Sequence, residues 1–225
     1  MPPIIGTQQS PISIETAKTM HSPFGQDYIR FNYSRPLSGT IDVARHNFVF
    51  DPPPVESAAS DWSITVGGKT WLIRQIHMHA PAEHLVDRVT PKPFEAHLVH
   101  SAVGDVSASG DKLVVGVFIE PGRMTREKKS LERLASRLTN TPDANPGEPT
   151  ELNPSDFLPD AGLDKFYRYE GSLTGPPYTE DVRWFVMAND GLVEQAMFDA
   201  LANYASHHAR EVQFLNRRYV LRSFV

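Results

Sequence analysis

The 225-residue sequence contains no cysteine. This excludes disulfides as a source of stability and excludes any thiolate metal site of the zinc-finger kind. It leaves the redox compartment open, since a chain without thiols suits either environment. No apolar run approaches the ~18 consecutive residues of a membrane-spanning helix. The opening Met1-Pro-Pro-Ile-Ile-Gly6 has neither a basic nor an apolar region of the secretory kind, so no leader is expected in the sequence as written. Positive charge is not in excess either. Lys and Arg number 22 against 27 Asp and Glu, a net charge of −5 that gives no electrostatic footprint for nucleic acid. Internal repeats and low-complexity tracts are absent.

What the chain has in quantity is punctuation. Nineteen prolines and 14 glycines favour short strands and many turns over a helical bundle, while 40% hydrophobic residues suffice for a sizeable core. The length suits a single domain over 1–225. Strand-like runs dominate: Thr40–Phe50, Trp62–Val66, Lys69–His79, Glu95–Ser101, Lys112–Glu120, Phe166–Tyr169 and Val182–Met187. Helical spacing appears in Arg126–Leu138, through Leu131, Leu134 and Leu138, and in Gly191–Ala205, through Val193, Met197, Leu201 and Tyr204. Both stripes read as core-facing. The Pro-rich stretch 141–161 reads as an ordered surface loop. The expected class is mainly β (α+β): one large, mostly antiparallel twisted sheet with a few peripheral helices.

The chemistry concentrates in three histidines. His77 and His79 alternate with apolar residues in Gln75-Ile-His-Met-His79, so in a strand both point to one face. His97, in Glu95-Ala-His-Leu-Val-His100, can arrive from a neighbouring strand to complete a three-nitrogen site. Three protein ligands and one open position is the pattern of a catalytic zinc, whereas a structural zinc closes with a fourth ligand. A bare His-x-His is weak. Here Gln75 and Glu95 stand two residues from a ligand on the same face, where an acceptor can fix the tautomer of a metal-bound imidazole.

These segments resemble the α-class carbonic anhydrases. The matching stretches are Gln9-Ser-Pro-Ile-Ser-Ile14, Gln75 to His84, Glu95 to His100 and Leu113-Val-Val-Gly-Val-Phe118. Tyr167 to Pro177 and Val182-Arg-Trp-Phe-Val186 match as well, and Arg210 to Arg217 looks like a diverged closing motif. The resemblance implies a zinc-dependent enzyme that reversibly hydrates carbon dioxide to bicarbonate and a proton by a zinc-hydroxide mechanism. It implies Zn2+ on His77, His79 and His97. Thr174 falls on the threonine that orients the nucleophile, and Glu83 on the carboxylate to which that threonine donates. Gln75 and Glu95 fall on positions that support the ligands. Val99, Val114, Leu173, Val182 and Trp184 fall on an apolar wall for the substrate gas. His84, Tyr169 and His100 take structural hydrogen-bonding positions.

The sequence departs from the family at four places. Only eight residues precede Gln9, and Tyr178 stands where many secreted members carry a cysteine, so the loop with Thr174 is expected to be held by packing alone. Gly175 replaces a cavity side chain and is expected to widen the site. Ala44 falls on the proton-shuttle position, which leaves His46, two residues on, as a candidate shuttle or an ordinary strand histidine. The rival reading is a carbonic-anhydrase-like binding domain of weak catalysis, a kind of member that lacks one or more of the zinc histidines. Expected partners are carbon dioxide and bicarbonate, in a monomer or homodimer. Family habit favours periplasm or secretion, and the missing leader and cysteines leave the cytoplasm open.

Overall fold

A computed structural model of the chain describes residues 6–25, 27–42, 49–52, 61–104, 110–140, 149–202 and 209–225. Two short strands, β1 (Ser13–Ile14) and β2 (Met20–His21), come first. The strands β3 (Ile29–Tyr33), β4 (Leu37–Asp42), β5 (Val49–Asp51) and β6 (Trp62–Val66) lead into the long β7 (Lys69–His79). After β8 (Leu85–Val86) come β9 (Phe94–Ala102), β10 (Lys112–Pro121) and helix α1 (Lys129–Asn140). The remainder supplies β11 (Pro149–Leu152), β12 (Phe166–Ser172), β13 (Glu180–Met187), β14 (Gly191–Val193), helix α2 (Gln195–Ala202) and β15 (Leu221–Arg222).

Thirteen strands join in one sheet ordered β11-β4-β5-β7-β9-β10-β13-β12-β15-β2, with β14 beside β10 and the β3–β6 pair attached to β7. Most pairings are antiparallel; β10–β13, β10–β14 and β15–β2 run parallel. The mainly-β, mostly antiparallel class expected from the sequence is therefore what forms. Strand alternation splits the core in two. On β10, Leu113, Val115, Val117 and Ile119 face the helices and meet Leu131, Leu134, Met197 and Leu201. The alternate residues Val114 and Phe118 face the other way, against Val182, Trp184 and Val186. Each such buried side chain contributes roughly 1.5–3 kcal/mol relative to exposure.

Three expectations need correction, and one strand was not anticipated. Thr40–Phe50 is not one strand: β4 and β5 pair antiparallel, Ile41 opposite Phe50, so the chain reverses between them without a glycine or proline to announce it. Ala44 and His46 lie outside the described residues. The stretch 141–161 is not all surface loop, because β11 pairs with β4 and Leu152, Phe157 and Leu158 are buried. Gly191–Ala205 does not start as a helix. Val193 sits in β14 opposite Pro121, and its carbonyl accepts from Gly122, so ladder bonds to β10 override the helical spacing. Finally, β3 escaped notice although Ile29, Phe31 and Tyr33 alternate along it.

Candidate metal centre

A single extra residue turns the histidines toward the site. The β7–β9 register shifts between Ile73 and Gln75, which leaves Arg74 unmatched. Before that bulge Trp71 and Ile73 face the helix-side core; after it Ile76 and Met78 do. A regular strand would keep residues 71, 73, 75, 77 and 79 on one face, and one inserted residue inverts that parity. Gln75, His77 and His79 are thereby turned to the opposite face while the apolar set stays in the core. On β9, Phe94, Ala96 and Leu98 go to the core and Glu95, His97 and Val99 go to the site face. The ladder sets His77 directly across from His97 and His79 across from Glu95.

The three rings converge. His97 Nδ1 lies 3.2 Å from His77 Nε2, and one nitrogen from each of His77, His79 and His97 falls within a cluster no wider than 4.8 Å. His79 Nε2 is buried with no hydrogen-bond partner, as are His77 Nδ1 and His79 Nδ1. Glu95 orders the far side of the cluster. Its Oε2 accepts the backbone N–H groups of Glu83 at 3.0 Å and His84 at 2.8 Å. Its Oε1 lies 2.7 Å from His84 Nδ1 and 3.0 Å from His97 Nε2, the latter short but not aligned as a hydrogen bond. His84 Nε2 then meets the Tyr169 hydroxyl at 2.7 Å.

Electrostatics follow from this layout. Burial, reinforced by the neighbouring rings, holds His77 well below the usual imidazole range and pushes His79 down to about 3. Burial pulls His97 the same way, but the Glu95 and Glu83 carboxylates outweigh it and leave His97 raised. Burial alone would raise Glu95; His84 and His97 overcome it and hold the carboxyl well below its ordinary value. A proton held on His97 Nε2 toward Glu95 leaves Nδ1 as a lone pair facing His77.

Does this set fit zinc? Three nitrogens at 2.0–2.1 Å from one tetrahedral ion would stand roughly 3.3 Å apart. The 3.2 Å separation of His77 Nε2 and His97 Nδ1 suits that, and His79 Nε2, buried without a hydrogen-bond partner, offers the third nitrogen such an ion needs. The alternative trio His84, Glu95 and His97 is also close-set, but both His84 nitrogens already have partners. The set free to take an ion is therefore His77, His79 and His97.

Beside these rings opens a cavity of about 250 Å³, lined by Gln75, Val49, Val99, Val114, Leu173 and Trp184 together with Thr174, Gly175 and Pro176. Of the wall residues expected, Val182 is not among those lining the cavity; it is buried in the core cluster that also holds Trp184. Gln75 lines the cavity, and its amide donates to Asp51 Oδ1 at 2.8 Å; among the described residues it has no bond to a histidine. Glu83 is buried, with Oε1 accepting the Arg210 backbone N–H at 2.9 Å. Its Oε2 has no hydrogen bond and lies 3.5 Å from His79 Nε2.

A family model, eukaryotic-type carbonic anhydrase, matches residues 1–224. The chain belongs to that family. Alpha carbonic anhydrase 3 of Arabidopsis thaliana is 30% identical over 221 residues, covering 96% of this chain and 74% of the relative. The solved α-carbonic anhydrase of Photobacterium profundum is 29% identical at a TM-score of 0.74, over 97% of this chain and 90% of that one. A crystal structure of dioscorin complexed with ascorbate superposes at a TM-score of 0.77 but 24% identity, over 96% and 86% of the chains, a likeness of fold alone.

Within the carbonic anhydrase scaffold, the loop carrying Thr174 is not held by packing alone, as the missing cysteine had suggested. Gln9 Nε2 donates to Glu180 Oε1 at 3.0 Å and to the Tyr178 carbonyl at 3.3 Å. Arg210 donates to the Gln9 side chain at 2.9 Å and to the Ser10 carbonyl at 2.6 Å, and its guanidinium lies 3.9 Å over the Tyr178 ring. Polar bonds and a cation–π contact thus tie both ends of the chain to the loop. Sequence reasoning missed Arg210 because its partners lie up to 201 residues away. It missed Val49 because the β4–β5 reversal was not read. It also left the glycine at 116 without a role.

Proposed function

We propose that the chain is a zinc-dependent carbonic anhydrase that reversibly hydrates carbon dioxide to bicarbonate and a proton. The observation that carries this reading is the convergence of three imidazoles, His79 and His97 buried and His77 half-buried, whose facing nitrogens have no partner outside the trio. Zinc, when bound, supplies the Lewis acidity that makes water a nucleophile at neutral pH. The chain's own residues do the rest. His77 and His79 stay neutral because they are buried, so their lone pairs remain available. Glu95 fixes the tautomer and orientation of His97. In this reading Thr174 donates its hydroxyl proton to Glu83 Oε2, which is buried and otherwise unpartnered. The hydroxyl oxygen is then left only to accept, which orients the attacking water. Val99, Val114, Leu173 and Trp184 give a nonpolar gas an apolar wall to rest against without tight binding. Gly175 leaves the wall open beside Thr174, since no atom lies within 4 Å of where its Cβ would stand.

Stopped-flow carbon dioxide hydration on metal-quantified protein tests the reading. One zinc per chain and rapid hydration, both lost in His97→Ala, are expected; zinc without hydration would sink the catalytic reading and favour a binding domain. His46 remains the candidate proton shuttle. His46→Ala is expected to lower turnover in a way that added imidazole rescues, and an unchanged rate removes His46 from the mechanism.

A further inference from the structure

Gly116 stands in the middle of β10, directly across the ladder from His97. Its backbone is not in the left-handed region that favours glycine, so conformation alone does not require it. Mid-strand glycine weakens a sheet and commonly marks a close approach. Here the approach is that of Glu95: a Cβ at position 116 would lie 2.7 Å from Glu95 Oε1, against an ordinary 3.6 Å from the Trp184 ring. A lone flexible carboxylate would simply swing aside. This one is pinned, with Oε2 bonded to two backbone N–H groups and Oε1 between His84 and His97.

We propose that Gly116 is a positioning residue of the metal centre, its missing side chain being the space in which the Glu95 carboxylate is held between His84 and His97. The inference rests on the zinc reading of His77, His79 and His97. An added methyl would push Oε1 off His97, loosening the ring whose Nδ1 faces the metal. Outer partners of this kind change metal affinity by about 10–100-fold.

The test is a double-variant cycle read by zinc affinity in chelator competition. Gly116→Ala is expected to weaken zinc binding about tenfold or more, and Glu95→Ala to weaken it comparably. The double variant should bind no worse than Glu95→Ala, because the methyl then occupies vacated space. Retention of zinc affinity within about twofold in Gly116→Ala, or losses that multiply in the double variant, would overturn the proposal. If Gly116→Ala does not fold, the double variant is expected to fold, and its failure to do so overturns the proposal as well. A parent chain that binds no zinc overturns the reading of the site instead. The cycle is then scored on the melting temperature of the metal-free chain, where additive losses overturn the role of Gly116.

Discussion

Two groups of buried polar side chains lie on opposite faces of the sheet, and they differ in what is left over. On the helix side, Lys128 donates to the Leu158 carbonyl at 3.2 Å and sits 3.4 Å from Asp160 Oδ1. Asp160 Oδ2 accepts twice from Thr125, and Asp156 accepts from the Ser130 backbone at 2.9 Å and from Arg126 at 3.1 Å. Two cations meet two anions, and this brace locks the start of α1 to the turn after β11. On the other face, His77, His79 and His97 bring three like nitrogens together, and both nitrogens of His79 are left without a hydrogen bond. In the brace each buried charge faces an opposite one, Asp160 Oδ1 included, through ion pairs to Lys128 and Arg126. A buried set of lone pairs aimed at one point costs stability until a cation arrives.

That contrast can be broken by experiment. The largest effect is expected at the brace. Lys128→Ala leaves two carboxylates buried beside Arg126 alone and should cost about 3–5 kcal/mol in urea unfolding. Zinc content and hydration per folded molecule should not change; a loss of zinc would show that the two clusters are coupled. At the site the pattern should reverse. Thr174→Ala is expected to retain zinc and a stability within about 1 kcal/mol of the parent, yet to lose hydration by about a hundredfold, the usual scale for misoriented reactants. Parent-like hydration would remove Thr174 from the mechanism.

The smallest effect separates a third buried histidine from both groups. His100 Nε2 meets the Tyr33 hydroxyl at 2.5 Å and Nδ1 meets the Leu113 carbonyl at 3.2 Å, so both its nitrogens have partners where neither of His79's does. Burial pushes its pKa down to about 4. The unfolded chain, near 6.5, therefore takes up the proton first, and stability present above about pH 6.5 drains away as pH falls toward about 4. By pH 5.5 the contribution lost is about 1.4 kcal/mol. Metal-free parent and His100→Gln should diverge by this amount in denaturation midpoints between pH 8 and 5.5, and parallel curves would deny His100 the role.

Legibility followed range along the chain. The three histidines proposed as ligands, Glu95 and Val99 lie in two short segments with period-two alternation, so their shared face could be read directly. Even the bulge left a trace, in the apolar phase that switches from Trp71 and Ile73 to Ile76 and Met78. Thr174, Glu83 and Gly175 were legible only through family resemblance, since a turn threonine and a loop carboxylate carry no pattern of their own. What stayed hidden depends on distant partners: the Arg210 clamp, β14 drawn into the ladder by β10, and the β4–β5 reversal. Val182 shows the limit of alternation, which gives the right face but not whether the side chain reaches the cavity.

Zinc K-edge X-ray absorption on the zinc-loaded chain tests the central claim most directly. Three imidazole nitrogens and one oxygen at about 2.0–2.1 Å are predicted, with one ion per chain. Two imidazoles with a Glu95 carboxylate would move the metal to the His84 side and contradict the account.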